Sequence, residues 1–386
     1  MKKVRILAVG IGGYANIYLE ELLNDPSPDF EFAGMVDVAA ERCKYYPQLR
    51  ALGVPLYDSM EAFYAADTAD LAIITTPIHF HTRQILCALR HGSNVMCEKP
   101  LSGVSADEKA LEDAIRETGK FVIIGYQWSY APAILSLKQD VTDGKYGKAV
   151  FLKSRVFWPR AKEYYLRGSG WGGRRRTPGG DVINDSVASN ATAHYLHNML
   201  YVTGGARNRS SEPARVECDL LRVNEIENFD TCAARFTLED GTPVLFLASH
   251  GTHNAYSPAF EYRFERGVIR YPDADGHIIG EFSDSTVHDY GDPFDDANRK
   301  IREAIAMSRE PGYLPPCGVS AAAPQVRCIE MLQEHPIRDL APDRLRTEER
   351  DGNHFRYAEG LEELLLKAYA EEKLPSEYPE YASFVR

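Results

Sequence analysis

Residues 4–15 read VRILAVGIGGYA, and the architecture of the amino-terminal part follows from how they are parsed. Val4 to Val9 are β-prone and mostly apolar, as befits a strand covered on both faces. Gly10, Gly12 and Ala15 then form a G-x-G-x-x-A arrangement that opens the helical pattern YANIYLEELL. Gly10 permits a tight turn and Gly12 lets the backbone approach a pyrophosphate. Ala15 keeps helix and strand close, so that the helix N-terminus faces the phosphates. Ile11, Gly13 and Tyr14 complete this cofactor-binding loop. An acidic residue is expected at the end of the second strand, and Asp37 stands there in GMVDV, 25 residues beyond Gly12. It can accept both ribose hydroxyls and would repel a 2′-phosphate, which favours NAD. Arg42 nearby could accommodate that phosphate, so NADP stays open.

Outward from this motif, strand and helix patterns alternate. FEFAGMVDV, VPLY, LAIITTP, SNVMCEKP and KFVIIGYQ read as strands; AERCKYYPQLRALG, SMEAFYAA, HTRQILCALRHG and SADEKALEDAIRETG read as helices. Such alternation with short links implies a parallel sheet covered by helices, a Rossmann domain over residues 1–128. Ligands bind beyond the carboxyl ends of such strands. Thr76 and Pro77, Glu98 and Lys99, and Gln127 lie at those ends. A lysine there can donate to a substrate oxygen and stabilise alkoxide charge; paired with Glu98, it could equally be an ordinary surface residue. His79 and His81 in HFH follow Pro77, and a helix-capping or packing role for them competes with ligand contact.

After about residue 145 the runs lengthen. KAVFLKSRVFW, ARVECDLLRVN, TCAARFTLEDGTPVLFLASH and AFEYRFERGVIRYP read as strands joined by tight turns, an antiparallel sheet in a second domain, 129–386. The tail from Asn353 reads as helical. Between the first two of these strands lies an excursion, residues 158–205, with its own helix, and long insertions of this kind usually carry function. It gathers Trp158, Tyr164, Tyr165 and Trp171 with Arg160, Lys162, Arg167 and Arg174 to Arg176. Aromatic faces suit sugar rings and arginine forks suit carboxylates or phosphates. A ligand-covering loop and a solvated or oligomer-contacting loop are both open readings.

Composition narrows the function. The 386 residues are 44% apolar and 26% charged, an ordinary globular balance. The net charge of -12 argues against nucleic acid as a partner, and no run approaches the ~18 apolar residues of a membrane helix. MKKVRILAVGIGG has lysines before an apolar run, yet the run is short, broken by glycines and without a cleavage site. The seven cysteines are scattered and contain no C-x-x-C, so neither a disulfide framework nor a zinc site is expected. The expected location is the cytoplasm.

NATAHYLHNM, residues 190–199, places His194 and His197 three apart on a helical stripe with Asn190. A metal would need a third ligand, and Asn190 is a poor one. His197 suits packing, or orienting its neighbour, as well as chemistry.

Taken in order, GIGGYA, VDV, ITTPIHFHTRQILCALRHGSNVMCEKPLS, GYQWSYAPAI, GKYGKAVFLKSRV, HYLHNMLYVTG and LPSE resemble the glucose–fructose oxidoreductase, inositol dehydrogenase and MocA (Gfo/Idh/MocA) family across nearly the whole chain. The resemblance implies a Rossmann domain followed by an α+β domain with a large, mostly antiparallel, open-faced sheet. It also implies NAD(P)-dependent oxidation of a sugar, sugar derivative or cyclitol, and a homodimer or homotetramer formed through that sheet. In the family the E-K-P lysine and a histidine or tyrosine of the second domain flank the reacting hydroxyl, in a D-x-x-x-H-x-x-D pattern with a glycine ten residues past the histidine. Lys99 and, with Gly204 ten residues on, His194 occupy those places. A neutral imidazole can take the hydroxyl proton. Asn190 and His197 stand where the family carries acids, and Asp185 could serve instead if its segment folds back. Trp128 and Ser129 occupy a place where many relatives have arginine. Two alternatives accompany the dehydrogenase reading: redox-neutral glycoside cleavage through transient oxidation and elimination, and a non-catalytic NAD-fold sensor.

Overall fold

A computed structural model describes residues 2–25, 29–166, 170–272 and 276–386; Arg167, singled out above, lies outside them. The chain divides into two compact units. The first comprises residues 1–102, 106–130 and 296–323, and the second 103–105, 131–295 and 324–386. The second unit therefore does not hold everything after residue 128, because the chain returns to the first unit near residue 296.

The first unit is a parallel sheet of β1 (Val4–Val9), β2 (Phe30–Val36), β3 (Leu56–Tyr57), β4 (Leu71–Ile74), β5 (Asn94–Cys97) and β6 (Val122–Ile124), in the order β3-β2-β1-β4-β5-β6. Its crossovers carry α1 (Ala15–Leu23), α2 (Tyr46–Ala51), α3 (Met60–Ala66), α4 (His81–Arg90) and α5 (Asp107–Thr118). In α1 the buried residues are Ala15, Tyr18, Leu19 and Leu22, the i, i+3, i+4, i+7 stripe of a helix lying on a sheet. α5 stops at Gly119, whose φ of 65° supplies the left-handed turn that ends helices. The helix expected over AERCKYYPQLRALG is shorter than its pattern. Residues 40–42 form a single 3-10 turn and α2 begins beside Pro47, because proline is tolerated in a first helical turn and disfavours helix before it.

The second unit contains α6 (Pro132–Thr142), α7 (Lys162–Tyr165) and α8 (Ala193–Thr203). They accompany a nine-stranded sheet of β7 (Ala149–Phe157), β8 (Pro213–Arg222), β9 (Thr231–Leu238), β10 (Pro243–Ser249), β11 (Tyr256–Phe264), β12 (Gly267–Tyr271), β13 (Ile278–Phe282), β14 (Val287–Gly291) and β15 (Ile337–Asp339). The strand order is β14-β13-β12-β11-β7-β10-β9-β8-β15. All neighbours are antiparallel except β7 with β10 and β8 with β15. α9 (Arg299–Met307) belongs to the first unit, and α10 (Val319–Gln333) carries the boundary between them.

The tail departs from its helical reading. Residues 345–350 and 353–358 are a hairpin, β16 (Leu345–Arg350) and β17 (Asn353–Ala358), and the helical part is α11 (Leu361–Glu371) with short 3-10 turns at Pro375–Glu377 and Pro379–Ser383. Asp351 and Gly352 both have positive φ, the conformation a two-residue hairpin turn needs. α11 and the turns after it lie on the second face of the large sheet. Leu361, Leu364, Leu365, Ala368, Tyr378 and Phe384 pack in one core with Phe157, Leu245 and Leu247. Glu372 pairs with Lys153 (3.2 Å) and Arg263 (2.6 Å), pinning the end of α11 to β7 and β11.

Candidate active site

The first unit builds a dinucleotide cradle. Gly10 has φ +78° and donates to the carbonyl of Val36 (2.8 Å). A Cβ on it would stand 3.1–3.2 Å from Thr75 and Thr76, and one on Gly12 would stand 3.0 Å from the Cys43 sulfur. Gly13, at φ +58°, opens on free space. Thr75 Oγ1 donates to the Gly10 carbonyl at 2.5 Å, tying β4 to the turn. The Asp37 carboxylate is held over the loop. Oδ2 accepts from the Ile11 amide (2.8 Å) and the Cys43 thiol (3.8 Å), and Oδ1 from the Ala39 amide (2.7 Å), which leaves Oδ1 a further lone pair for a ribose hydroxyl. Tyr14 flanks the loop and its hydroxyl lies 3.4 Å from Gln127 Oε1. These residues fit a nicotinamide dinucleotide.

Along the same rim, Glu98 is buried and Lys99 half-buried at the carboxyl end of β5, and the Lys99–Pro100 peptide is cis. Glu98 Oε2 accepts the Lys99 amide at 3.3 Å. Tyr18 donates to Glu98 Oε1, and Lys300 Nζ lies 3.2 Å from that oxygen. Neither Tyr18, Lys300 nor Thr75 stood out in the sequence. Lys300 is one of several charges in DDANRKIRE, and nothing local sets it apart from its neighbours. His81 is buried with Nδ1 2.8 Å from the Pro100 carbonyl and Nε2 2.9 Å from that of Thr76. Burial holds its pKa below the ordinary histidine value. A neutral ring donates only one of these bonds, and the residue sits as a tie between β4 and the E-K-P turn.

The second unit separates the two histidines of α8. Of residues 193–202, all but His194 are buried. His194 and Asn190, four residues before it, are the half-buried positions of that stripe. His197 is fully enclosed, and its ring stacks on Tyr201 at 5.6 Å. Burial, helped by the Lys138 ammonium, pushes its pKa down to about 3. The enclosed ring is therefore held in its neutral form. Lys138 is itself buried and donates to the carbonyls of Tyr201, Gly204 (3.1 Å) and Arg209 (3.0 Å), closing the C-terminal end of α8.

Asp185 does fold back. Its Oδ1 accepts Asn190 Nδ2 at 2.9 Å and its Oδ2 accepts the Gly173 amide at 2.6 Å. Trp158, Arg160 and Tyr164 come together. The guanidinium of Arg160 lies 5.7 Å from the Trp158 ring and 5.2 Å from that of Tyr164, and Trp158 meets Tyr195, the neighbour of His194, edge-on at 5.5 Å. Arg174 does not join them by its fork: Nε donates to the Gly170 carbonyl, in the turn where the Arg174 amide bonds to Trp171 O. Arg175 and Arg176 likewise donate to the carbonyls of Gln333 and Gly180.

Residues 4–126 match the oxidoreductase family described as having an NAD-binding Rossmann fold, and residues 134–270 match the Gfo/Idh/MocA C-terminal domain. The chain belongs to the Gfo/Idh/MocA family. It is 28% identical to 1,5-anhydro-D-fructose reductase of Ensifer adhaerens over 42% of its own length, and spans about half of that relative, 47%. It is 24% identical to inositol 2-dehydrogenase of Corynebacterium glutamicum, over 74% of this chain and 81% of that protein. Among solved structures it is similar to UDP-N-acetylglucosamine 3-dehydrogenase of Acidithiobacillus ferrooxidans, with a TM-score of 0.67, 18% identity and coverage of 86% and 98% of the two chains. At that identity the likeness is one of fold. Family membership assigns the cradle a nicotinamide dinucleotide, and no helix among the described residues is long and apolar enough to cross a membrane.

Proposed function

We propose that the chain is an NAD(P)-dependent dehydrogenase acting on a hydroxyl of a sugar, sugar derivative or cyclitol. The observation that carries this reading is Lys99, held at the end of β5 on the same sheet rim as the glycine cradle. When bound, the nicotinamide would accept the hydride from the carbinol carbon. Lys99 would donate to the hydroxyl oxygen and stabilise its developing charge. His194, the outward residue of α8, would take the hydroxyl proton. Asn190, anchored by Asp185, would orient the imidazole as a neutral partner. Asp37, with both oxygens fixed by amides, supports NAD over NADP. The cluster of Trp158, Arg160 and Tyr164 supports a ring-shaped substrate, the two aromatic faces stacking on it and the arginine meeting an anionic group.

The seven free thiols support a reducing, cytoplasmic setting. A homodimer or homotetramer belongs to the same reading.

The test is a screen of sugars, cyclitols and uronates with added NAD or NADP, followed by Lys99→Met and His194→Asn on the best substrate. Each variant is expected to lower kcat by about 10²–10⁴ while the protein still binds NADH. Wild-type rates in both variants would overturn the assignment. Turnover with no net change in nicotinamide would move the reading to transient oxidation and elimination.

A further inference from the structure

Lys300 is a lysine with no exposed surface, and lysines are almost never fully buried without a partner to justify it. It sits on α9, in the segment that brings the chain back to the first unit. Its ammonium lies 3.2 Å from Glu98 Oε1 and donates to the Gly125 carbonyl at 3.1 Å. The rings of Tyr14 and Tyr18 face it at 5.5 and 5.2 Å. Tyr18 shares the same carboxylate oxygen. Gly125 is glycine for a reason tied to this pair: a Cβ there would lie 2.6 Å from Glu98 Oε1.

These contacts join three pieces of the rim. Tyr14 belongs to the glycine loop after β1, Glu98 begins the E-K-P segment after β5, and Gly125 follows β6 two residues before Gln127. Each would touch the dinucleotide or lies within two residues of one that would. Glu98 Oε2 accepts the Lys99 amide, so the carboxylate that Lys300 holds also holds the backbone of the lysine assigned to the substrate.

We infer that Lys300 is a positioning residue for the cofactor rim: by neutralising Glu98 and anchoring Gly125 it fixes the glycine loop, the Lys99 backbone and the Gln127 segment in one arrangement. A buried carboxylate stranded without its cation must find water or another partner, and the strand ends beside it must move to supply one. The Lys99 part of this inference rests on the role proposed for that residue; the rim part does not.

The experiment titrates NADH into the full-length protein by nicotinamide fluorescence, with melting followed alongside, in wild type, Lys300→Met, Glu98→Gln and the double variant. Lys300→Met is expected to weaken NADH binding at least tenfold and to lower the melting temperature. Adding Glu98→Gln, which removes the stranded charge, is expected to bring affinity back to within about fivefold of wild type. A space-filling role would not give that rescue. Unchanged NADH affinity in Lys300→Met, or losses that simply add in the double variant, would overturn the inference. If Lys300→Met alone fails to fold, the double variant and Glu98→Gln decide: wild-type affinity in Glu98→Gln with no recovery of folding in the double variant counts against it. Because NADH binding needs no sugar, a failed substrate screen with the expected binding pattern would sink the proposed activity and leave Lys300 in place.

Discussion

At the scale of single residues, three positions of helix separate opposite fates for the same side chain. His194 faces outward from α8 and keeps access to solvent, whereas His197 turns inward among Tyr201 and the Lys138 ammonium. Charging the buried ring costs burial energy and repulsion, hence a folded-state pKa of about 3 against about 6.5 for an unfolded histidine. The unfolded chain thus takes up the proton first. The contribution of neutral His197 is fully present above about pH 6.5 and is lost at about 1.4 kcal/mol per pH unit as pH falls toward 3. Thermal melts of wild type and His197→Phe between pH 7 and 4.5 are expected to diverge, with the wild type losing stability faster toward acid. Parallel curves would show that His197 is not the neutral core group described. Asp185 makes a related point. It reaches Asn190, five positions on, so that a carboxylate from the preceding segment holds the neutral amide at the start of the histidine stripe.

Among elements, the β1–α1 turn was fully readable because its chemistry is local. Gly10 needs a left-handed φ and closely faces Thr75 and Thr76, so alanine there meets both conformational strain and steric crowding. Gly10→Ala is expected to cost about 1–3 kcal/mol in denaturant melts and to weaken NADH binding. Retained affinity and stability would mean the turn can relax without loss. Other elements misled for equally local reasons. AERCKYYPQLRALG has helical composition, yet Pro47 moves the helix start to Tyr46. In the tail, Asn353–Ala358 adjoins a genuine amphipathic helix, and its six residues carry too short a period-2 pattern to stand out until β16 pairs with them.

For the molecule as a whole, the carboxy-terminal segment matters more than its late place suggests. Leu361, Leu364 and Leu365 are buried against Leu245, Leu247 and Phe157, and Glu372 and Glu377 pair with Lys153, Arg263 and Arg235 of the sheet. Truncating a buried leucine typically costs about 2–5 kcal/mol. Losing the whole segment therefore exceeds the ~5–15 kcal/mol by which domains are stable. A chain ending at residue 336 is expected to aggregate, as size-exclusion chromatography with light scattering would show. A monodisperse truncated protein that melts cooperatively would prove the segment dispensable. The Rossmann architecture, the glycine cradle with Asp37, the place of Lys99 and the strand-rich second half were all determined by the sequence alone, since each depends on periodicity or on residues close together in the chain. Which histidine faces out, what Asp185 holds, that the tail closes a sheet face, and that Lys300 sits beneath Glu98 were decided only by tertiary structure. Those contacts depend on burial or join residues far apart in the chain, Glu98 with Lys300 and Lys153 with Glu372 among them, and burial and long-range pairing leave no periodic trace in either segment.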